Sequence, residues 1–321
     1  MYLTKGHRKT QKHSINELSV EIMQNGKHGI QLSPDILELF LLLFADDVIL
    51  ISHSVSGLQN QLNILSKFSD EWKLTVKLDK TNIVVFRKGG RLALTEKWFY
   101  KDSRVQVVNQ YKYLGVLFTS KLCMRNLVQD LSSRAKKAMV LFLSTLYKLN
   151  PMPLKVFFKL FDTQIQPILL YGSELWGFKH YDTIEQIHLL ACKKFLMTSI
   201  NSPNNIVYGE CGRYPLFVNS YIRCIRYWLK ILTMHDQRLP RKAYNMLYHY
   251  DNLGYKTWAS NIRLLLFSNG FGYVWIYQGV GDARLFVNIS KERIVCTFCQ
   301  KWMSILNERS RYDVYRSFKS L

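Results

Sequence analysis

Residues 41–51 read Leu-Leu-Leu-Phe-Ala-Asp-Asp-Val-Ile-Leu-Ile, and the interpretation of the chain starts from this stretch. Two adjacent carboxylates, Asp46 and Asp47, stand between two apolar runs. Short apolar runs bounded by a polar break are typical of buried β-strands. The pattern therefore predicts a β-hairpin with Asp46 and Asp47 at or near its tip. A plain surface turn is the alternative, because aspartate is a common turn residue.

The acidic pair itself points to a metal. Two neighbouring carboxylates repel each other, which raises the cost of ionising both unless a cation lies beside them. A divalent ion removes this cost, and hard oxygen ligands suit magnesium. In two-metal phosphoryl transfer such ions stabilise the attacking and the leaving oxygen. Asp46 and Asp47 are therefore candidate metal ligands.

Composition indicates the class of partner. The 321 residues include 44 Lys and Arg against 23 Asp and Glu, a formal net charge of +21. This excess favours nucleic acid as a partner, then an anionic membrane surface, with a merely solvated basic surface as the bland alternative. Hydrophobic residues make up 48% and aromatics 14%, which excludes a disordered chain. The most apolar stretch, Ile36–Ile51, contains three acids and is too short to span a bilayer.

The cysteines and the N-terminus predict an intracellular, non-secreted protein, without separating nucleus from cytoplasm. Met1–Ser14 is polar and basic and has no apolar core of a signal peptide. Six scattered cysteines then indicate reduced thiols. Cys296 and Cys299 have half the spacing of a zinc site, but no Cys or His follows them. Zinc would need distant ligands such as His235 or His249 and is not expected.

The periodic segments predict an α+β fold, with a small α/β unit followed by a helical one. The first unit is predicted to hold a helix over 15–23, the hairpin, a helix that Ser56 caps and that ends at Trp72, and strands at 83–86, 105–108 and 113–118. The helices predicted after it lie at 127–146, 154–165 (with Pro167 bending or ending it), 184–196 and 216–232. The last ninety residues carry no assignable pattern.

Several segments resemble a known enzyme family. Phe44-Ala45-Asp46-Asp47-Val48 is similar to the (F/Y)-x-D-D box of the reverse-transcriptase palm, in the form found in non-LTR (LINE-type) retrotransposons. Four more segments resemble that family in the same order: Gly57-Leu58-Gln59 with the helix to Trp72, Lys80–Phe86, Tyr111–Gly115, and 167–176 (Pro-Ile-Leu-Leu-Tyr-Gly-Ser-Glu-Leu-Trp). The resemblance covers roughly residues 15–235, and five segments in the right order are far more specific than one box.

The resemblance implies an architecture and a chemistry. After a flexible lead-in (1–14) it implies a partial palm of hairpin, helix and short strands (15–120), a mainly helical thumb (121–200) and a helical or mixed C-terminal extension (201–321). Asp46 and Asp47 would be the catalytic carboxylates, with Asp46 the direct ligand of magnesium. The partners would be an RNA template and a DNA primer, with no membrane; the sequence leaves the oligomeric state open.

The resemblance also assigns roles outside the acidic box. Lys80 would lie near the incoming triphosphate or the pyrophosphate; a solvated lysine at the start of a strand is the alternative. Tyr113, Leu114 and Gly115 would form the primer grip, where glycine permits close approach of the primer backbone. The alternative places Tyr113 and Leu114 in the core of a strand.

Two basic stretches are candidates for contact with nucleic acid. Lys121–Leu160 contains eight Lys and Arg against one acid, and its densest part holds Arg134, Lys136 and Lys137. A helix that follows a phosphate backbone needs such a face. Tyr221–Tyr250 contains six Lys and Arg against one acid, with Tyr221, Tyr227 and Trp228 among them. Those aromatics either stack on unpaired bases or face the core of the helical unit.

The family requires a further aspartate on an earlier strand. Asp35, the sole aspartate before Asp46, lies eleven residues away and does not fit that motif, and Leu32-Ser33-Pro34 is likewise too close to stand for the substrate-binding motif. We therefore expect the fingers and the first palm strand to be absent and the two-metal site to be incomplete. The sequence predicts a fragment of an RNA-directed DNA polymerase that is inactive alone. The alternatives are a non-enzymatic basic nucleic-acid-binding remnant and an unfolded product.

Overall fold

The computed structural model of the chain describes residues 3–4, 17–24, 28–31, 38–45, 47–146 and 152–319. It divides into two compact units, Met1–Cys123 and Met124–Leu321. In the described part of the chain, the strands lie in the first unit and most of the helical residues lie in the second. This arrangement confirms the predicted α+β class.

The first unit pairs its described strands two at a time. Antiparallel pairs join β1 with β6, β2 with β3, β4 with β5, β8 with β9, and β11 with β12, while β7 and β10 pair in parallel. The strands are β1 (Leu3–Thr4), β2 (Ile30–Gln31), β3 (Glu38–Leu39), β4 (Leu41–Phe44), β5 (Asp47–Leu50), β6 (Thr75–Val76), β7 (Asn82–Ile83), β8 (Phe99–Tyr100), β9 (Ser103–Arg104), β10 (Gln106–Val107), β11 (Gln110–Tyr113) and β12 (Val116–Thr119).

Two helices complete this unit and supply most of its core. Helix α1 covers residues 17–24, and α2 runs over Val55–Glu71. Leu18 and Ile22 of α1 are buried, as the helical spacing predicted, while Ile15 lies outside the described residues. The core combines these side chains with the inner face of α2 and with the hairpin, in the set Leu18, Ile22, Val48, Ile64, Leu65, Phe68, Tyr100 and Val105.

The predicted start of α2 was wrong by two residues. Ser54, and not Ser56, caps the helix, because its side chain accepts the N–H of Gly57 at 3.1 Å. Ser56 lies in the first turn and is exposed. A serine two residues closer to the preceding strand has the extended backbone that a cap requires, and sequence alone did not separate the two.

The predicted strands after α2 needed three corrections. The strand at 83–86 is shorter than predicted, because β7 ends at Ile83. Further along, the Arg87 N–H donates to Ser120 O at 2.9 Å and not to β10. The strand at 105–108 is broken at Val105, which is buried between β9 and β10. The strand at 113–118 is a hairpin, β11–β12, that turns at Leu114 and Gly115.

The lead-in predicted over 1–14 contains one paired segment. Leu3–Thr4 forms β1 and pairs with Thr75–Val76. A two-residue ladder needs only main-chain donors and acceptors, so no side-chain pattern predicts it. The rest of that lead-in lies outside the described residues.

The second unit is built from helices. In the described residues these are α3 (Met124–Leu146), α4 (Leu154–Gln164), α5 (Gln166–Leu169), α6 (Ser173–Trp176), α7 (Asp182–Phe195), α8 (Asn204–Cys211), α9 (Phe217–Leu232), α10 (Leu239–Asn252), α11 (Trp258–Ser268), α12 (Gly272–Tyr277), α13 (Ala283–Glu308) and α14 (Asp313–Phe318). The four predicted helices are confirmed as α3, α4, α7 and α9. None of the helices in the described ranges has the length and apolar character needed to cross a membrane.

Local signals explain where these helices begin and end. Pro167 stands in the first turn of α5, and α4 ends at Gln164, as the proline predicted. Helix α3 buries one stripe that includes Leu127, Leu131 and Phe142. The predicted stop of α3 at Asn150-Pro151 lies outside the described residues. Within the last ninety residues, which the sequence left unassigned, the described part from Leu239 onward is mainly helical (α10–α14).

An aromatic core joins the later helices. Trp228 of α9 is fully buried and stacks on Trp275 of α12, with ring centroids 6.1 Å apart. The Trp228 Nε1–H donates to the hydroxyl of Tyr244 on α10 at 2.9 Å. Burial of large aromatic surfaces with a satisfied ring N–H is strongly stabilising. This cluster therefore holds α9, α10 and α12 together.

A buried polar network connects α4, α7 and α8. Glu185 accepts hydrogen bonds from His188 Nδ1 (2.8 Å), the Tyr208 hydroxyl (2.6 Å) and the N–H of Leu216 (2.8 Å). Arg213 donates from Nε to His188 Nε2 at 3.3 Å. Since a guanidinium can only donate, His188 accepts at Nε2 from Arg213, and its Nδ1 side contacts Glu185.

The same network fixes the charge of Glu185. Burial opposes ionisation of this carboxyl, but the hydrogen bonds from His188, Tyr208 and Leu216 outweigh it and hold the pKa of Glu185 below its ordinary value. Arg213 forms two parallel hydrogen bonds with Asp162 of α4, at 2.8 and 2.6 Å. Each buried charge thus has partners of opposite charge or hydrogen-bond donors, which is the condition for burying it.

Candidate functional site

The acidic hairpin is formed as the sequence predicted. Strands β4 and β5 pair in register from Leu41 with Leu50 to Phe44 with Asp47. The Ile51 N–H donates to Phe40 O at 2.8 Å and lengthens the pairing by one step. Residues 45 and 46 lie between the last paired positions in sequence, and Ala45 has a positive φ of 54°. The turn is therefore tight, and Asp47 is the first residue of β5.

Strand alternation fixes the direction in which Asp47 points. Leu41, Leu43, Val48 and Leu50 all pack into the core of the first unit, and Val48 is 1% exposed. Because successive side chains of a strand point to opposite faces, Asp47 lies on the face away from this core. One of its carboxylate oxygens, Oδ1, is nevertheless buried from solvent. Buried Val48 thus fixes the position of β5, and with it the position of the partly buried Asp47 carboxylate.

The donor chemistry at the tip suits magnesium, but the described residues do not complete a site. Asp46, the direct ligand expected from the resemblance, lies outside the described residues, and so do Asp35 and the Leu32-Ser33-Pro34 segment. Among the residues that the structure describes, no group of three or more His, Cys, Asp or Glu could hold a metal ion. Asp47 can contribute hard oxygen ligands, and we derive no metal-dependent step from one described carboxylate.

Helix α2 supports the hairpin through side chains that the sequence interpretation missed. Buried Gln61 donates from Nε2 to Ile51 O at 3.1 Å, directly beyond β5. Gln59 binds the main chain of Phe99 twice, as acceptor and donor, both at 2.8 Å. Trp98 Nε1–H donates to Val55 O at 2.9 Å. These bonds connect the acidic hairpin, α2 and β8. In the sequence, the sign of this role was a glutamine among the apolar positions of the predicted helix.

Gly57 explains part of the Gly57-Leu58-Gln59 motif. A Cβ at this position would lie 2.5 Å from His28 Cβ, 2.6 Å from Ser52 Oγ and 2.7 Å from Ser54 Oγ. A side chain therefore does not fit unless the neighbours move. Gly57 lets the start of α2 approach the segment before the hairpin closely.

Lys80 is linked to the proposed primer grip through its main chain. It ends a short 3₁₀-helix, Leu78–Lys80, and is exposed. Its carbonyl oxygen accepts the Tyr111 hydroxyl of β11 at 3.1 Å. Thr81 is buried, and its hydroxyl donates to Lys77 O at 2.8 Å. The structure thus brings the Lys80–Phe86 and Tyr111–Gly115 segments together.

The tip of the β11–β12 hairpin is exposed and conformationally strained. Leu114 and Gly115 have φ values of 46° and 79°, as a type I′ turn requires. Leu114 is 41% exposed and is therefore no core residue, which overturns that alternative for Leu114. Tyr113 ends β11 and is partly buried. A leucine in the left-handed region costs free energy that glycine or asparagine would avoid.

Helix α3 exposes two of the three predicted basic side chains, and the third, Arg134, is paired with an acid. Lys136 and Lys137 are exposed, one turn from the buried stripe. Arg134 forms an ion pair with Asp130 at 3.0 Å, one turn earlier on the helix. Its positive charge is therefore partly offset, and the two lysines carry most of the charge expected from Arg134, Lys136 and Lys137.

Three aromatics of the second basic stretch, Tyr221, Tyr227 and Trp228, pack in or against the core, which was one of the two alternatives. Trp228 is buried in the α9–α12 cluster, and Tyr227 packs edge-on against Trp258 with centroids 6.0 Å apart. Burial raises the pKa of the Tyr221 and Tyr227 hydroxyls. These three side chains are therefore not a surface for stacking bases.

The last two candidate segments have clear positions. Cys296 and Cys299 lie exposed on α13. In the 167–176 segment, Trp176 is buried and donates to Tyr171 O at 3.0 Å. Trp258 of α11 donates to Glu174 O at 3.0 Å. This segment thus contributes to the packing of the helical unit.

Comparison with known proteins points to one enzyme class for the first unit. Residues 13–118 match the family model described as reverse transcriptase (RNA-dependent DNA polymerase). The chain is also similar to a Caenorhabditis elegans protein described as an uncharacterized transposon-derived protein, with 28% identity over 144 residues. That alignment covers 43% of this chain and 48% of the relative, so the chain spans about half the length of the relative it matches. The family match supports a relationship between residues 13–118 and reverse transcriptases, and the relative is described only as transposon-derived.

Proposed function

We propose that the chain is a part of a LINE-type retrotransposon reverse transcriptase that binds an RNA–DNA hybrid. The observation that carries the proposal is the β4–β5 hairpin within the matching segment 13–118. It presents Asp47 at the start of β5, on the face away from the core, while Val48 anchors the strand. A surface turn would not need this buried anchor. In this proposal residues 15–120 are the partial palm and residues 121–200 the thumb.

The carboxylates would serve a magnesium-dependent reaction. Magnesium, when bound by Asp46 and Asp47, would stabilise the charge that develops during nucleotidyl transfer. The chain's own residues hold Asp47 in a rigid hairpin, and Lys80 would lie beside the phosphates of the incoming nucleotide. A further carboxylate is needed for the complete site, and Asp35 does not supply it. We therefore propose that these 321 residues alone do not extend a primer.

The strained tip of β11–β12 supports contact with the primer. Backbone strain at an exposed non-glycine residue is concentrated at functional positions of proteins. Leu114 is such a residue, and Gly115 beside it leaves room for another backbone. Tyr113, Leu114 and Gly115 are therefore proposed to contact the primer strand.

Helix α3 is proposed as the main contact with the phosphate backbone. Lys136 and Lys137 lie adjacent on the exposed side of a helix whose opposite stripe is buried. The net charge of +21 adds a long-range attraction for a polyanion. Arg134 would contribute less, because Asp130 already binds it.

A second candidate function has a different basis. A non-enzymatic nucleic-acid-binding protein needs the basic surface and not the acidic hairpin. The sequence favours this alternative, because Asp35, the sole aspartate before Asp46, does not fit the motif that would supply the further carboxylate. Hybrid binding without primer extension, unaffected by Asp46→Ala/Asp47→Ala, is the behaviour it predicts.

Binding of a labelled RNA–DNA hybrid, followed by fluorescence anisotropy, tests the proposal. The variant Lys136→Gln/Lys137→Gln is expected to bind roughly 5- to 10-fold more weakly than the unmodified chain at low salt, because two phosphate contacts are lost. The matched control is Arg284→Gln/Lys301→Gln, which removes the same charge from exposed positions of α13. Equal losses in both variants would contradict a binding face on α3, and no binding by the unmodified chain would overturn the proposal.

A further inference from the structure

The end of α10 carries an exposed pair of aromatic rings. Tyr250 and Tyr255 are 43% and 62% exposed, and their ring centroids lie 5.7 Å apart at 86°. Tyr250 belongs to the last turn of the helix, and Tyr255 lies in the connection to α11. Large aromatic side chains at such exposure leave flat apolar surface open to solvent. The core does not require this surface, since Trp228 and Trp275 fill it.

The main chain holds the two rings in place. Gly254 has a φ of +87°, and its N–H donates to Asp251 O at 2.9 Å. The N–H of Tyr255 donates to Tyr250 O, also at 2.9 Å. These two hydrogen bonds define a Schellman motif at the C-terminus of α10. In this motif the side chains at the positions of Tyr250 and Tyr255 are expected to touch. The Tyr255 carbonyl in turn accepts the Ser260 hydroxyl at 3.1 Å. The rings are thus preorganised, which lowers the entropy cost of binding.

The exposed charge beside the rings is positive. Lys256 is exposed and directly follows Tyr255, while Asp251 is the sole acid between residues 245 and 265. Asp251 is buried, and Arg263 binds both of its oxygens, at 2.9 and 3.1 Å. Burial opposes its ionisation, but the bonds from Arg263 and Ser260 hold the pKa of Asp251 below its ordinary value. The surface therefore presents the rings and the Lys256 ammonium, and no exposed carboxylate between residues 245 and 265.

The helix dipoles do not reverse this sign. The C-terminus of α10 carries a partial negative charge, and the N-terminus of α11 carries a partial positive one. Both ends meet in the connection 253–257, where Thr257 begins α11 with a capping box. Their contributions oppose each other, and the charge of Arg263 is offset by Asp251. The exposed Lys256 therefore decides the local potential.

We propose that Tyr250 and Tyr255, with His249 and Lys256, form a binding surface for single-stranded nucleic acid at the end of α10. Flat rings stack on unpaired bases of any sequence, and adjacent cations bind the phosphates between them. The surface rests on the proposed function in that it would hold an unpaired stretch of template beside the hybrid. It replaces Tyr221, Tyr227 and Trp228, which the sequence suggested for stacking: Trp228 is buried, and the two tyrosines are partly buried against the core.

The test measures the affinity of the full chain for labelled oligothymidylate. Tyr255→Ala is expected to weaken this binding roughly 5- to 150-fold, the range for the loss of one stacked base. Tyr255→Phe keeps the ring and is expected to bind like the unmodified chain. Tyr277→Ala, at a tyrosine that is 81% exposed on α12, is the matched control and is expected to bind normally. Lys256→Gln leaves both rings in place and is expected to reduce the salt slope by about 0.7.

Ultraviolet cross-linking of the unmodified chain gives a measurement that does not depend on how the variants fold. Cross-links of thymine within residues 249–256 are expected. Cross-links only outside residues 249–256, or wild-type affinity in Tyr255→Ala, would overturn the surface. If the chain binds the RNA–DNA hybrid but not oligothymidylate, this inference fails and the proposed function stands. If it binds neither, both fail.

Discussion

At the residue scale, Gly57 shows how a single missing side chain positions the acidic hairpin. The start of α2 approaches His28 and Ser52 so closely that a Cβ would overlap with them. In Gly57→Ala the better helix propensity of alanine is worth up to about 1 kcal/mol, but overpacking costs roughly 1–3 kcal/mol. We expect a net loss of about 1–2 kcal/mol in the free energy of unfolding, measured by urea denaturation.

Gly89→Ala is the control for this prediction. No heavy atom lies within 4 Å of a Cβ at Gly89, and its φ is not in the left-handed region. The same substitution there should leave stability unchanged or slightly raised. Equal effects at Gly57 and Gly89 would show that the close approach to His28 is not important.

Glu185 gives a prediction that depends on pH. Glu185→Gln replaces an acceptor of three hydrogen bonds by an amide whose NH₂ group faces the donors, and should cost roughly 2–3 kcal/mol at pH 7. Because the folded pKa of Glu185 is lowered, its contribution is complete above the unfolded pKa and is lost as the pH falls through the folded value. The stability gap between wild type and variant should therefore narrow below about pH 4.5.

The control for Glu185 is Glu292→Gln on the exposed face of α13. Its unfolding free energy should match the wild type at each pH. A gap for Glu185→Gln that stays constant down to pH 3 would show that ionisation of Glu185 contributes nothing to the fold.

The roles of individual residues were the part of the structure that the sequence predicted least well. Asp47 could be found because an acidic pair between apolar runs is unusual. Gln59, Gln61 and Glu185 gave no comparable signal, since a polar residue within a predicted helix is usually solvent-exposed. Only the folded chain shows which of them meets an unpaired main-chain group.

At the scale of elements, the β11–β12 turn combines strain with exposure. Leu114→Asn places a residue that tolerates the left-handed region at the first turn position. We expect the unfolding free energy to rise by about 0.5–1 kcal/mol, because leucine pays more for this conformation. If Leu114 contacts the primer, affinity for the RNA–DNA hybrid should fall in the same variant.

Leu94→Asn is the matched control, because Leu94 is highly exposed and outside the left-handed region. It should change neither stability nor hybrid binding appreciably. A stabilised Leu114→Asn that binds the hybrid like the wild type would remove Leu114 from the proposed primer grip.

Element type was predictable wherever one period extended over many residues. Helices α3, α7 and α9 have long apolar stripes, and their positions agreed with the sequence to within a few residues. The short strands of the first unit did not, because two-residue ladders depend on main-chain partners that are distant in sequence. The turn at Leu114 was missed for a related reason: leucine is not the residue that a type I′ turn normally selects.

At the scale of the whole molecule, the two units carry different parts of the proposal. The first unit holds the acidic hairpin, and the second holds the basic helix and the ring pair. The α+β class and the order of the two parts followed from composition and period. Which aromatics remain exposed did not, because helical periodicity does not reveal which of two neighbouring faces a later helix will cover.

Primer extension tests the chemistry that the whole chain can perform. On an RNA template with deoxynucleoside triphosphates and magnesium, we expect no extension by the 321-residue chain, because in our proposal it lacks a further carboxylate beside Asp46 and Asp47. Asp46→Ala/Asp47→Ala should behave in the same way. Extension by the unmodified chain that this double variant abolishes would show that the acidic hairpin is catalytically sufficient here.

The salt dependence of hybrid binding tests the central claim most directly. The logarithm of the affinity of the chain for an RNA–DNA hybrid should fall steeply and linearly with the logarithm of the salt concentration. Lys136→Gln/Lys137→Gln should reduce the slope by about 1.5–2, while Arg284→Gln/Lys301→Gln leaves it unchanged. A slope near zero for the unmodified chain, or the same slope in the α3 variant, would contradict nucleic-acid binding through α3.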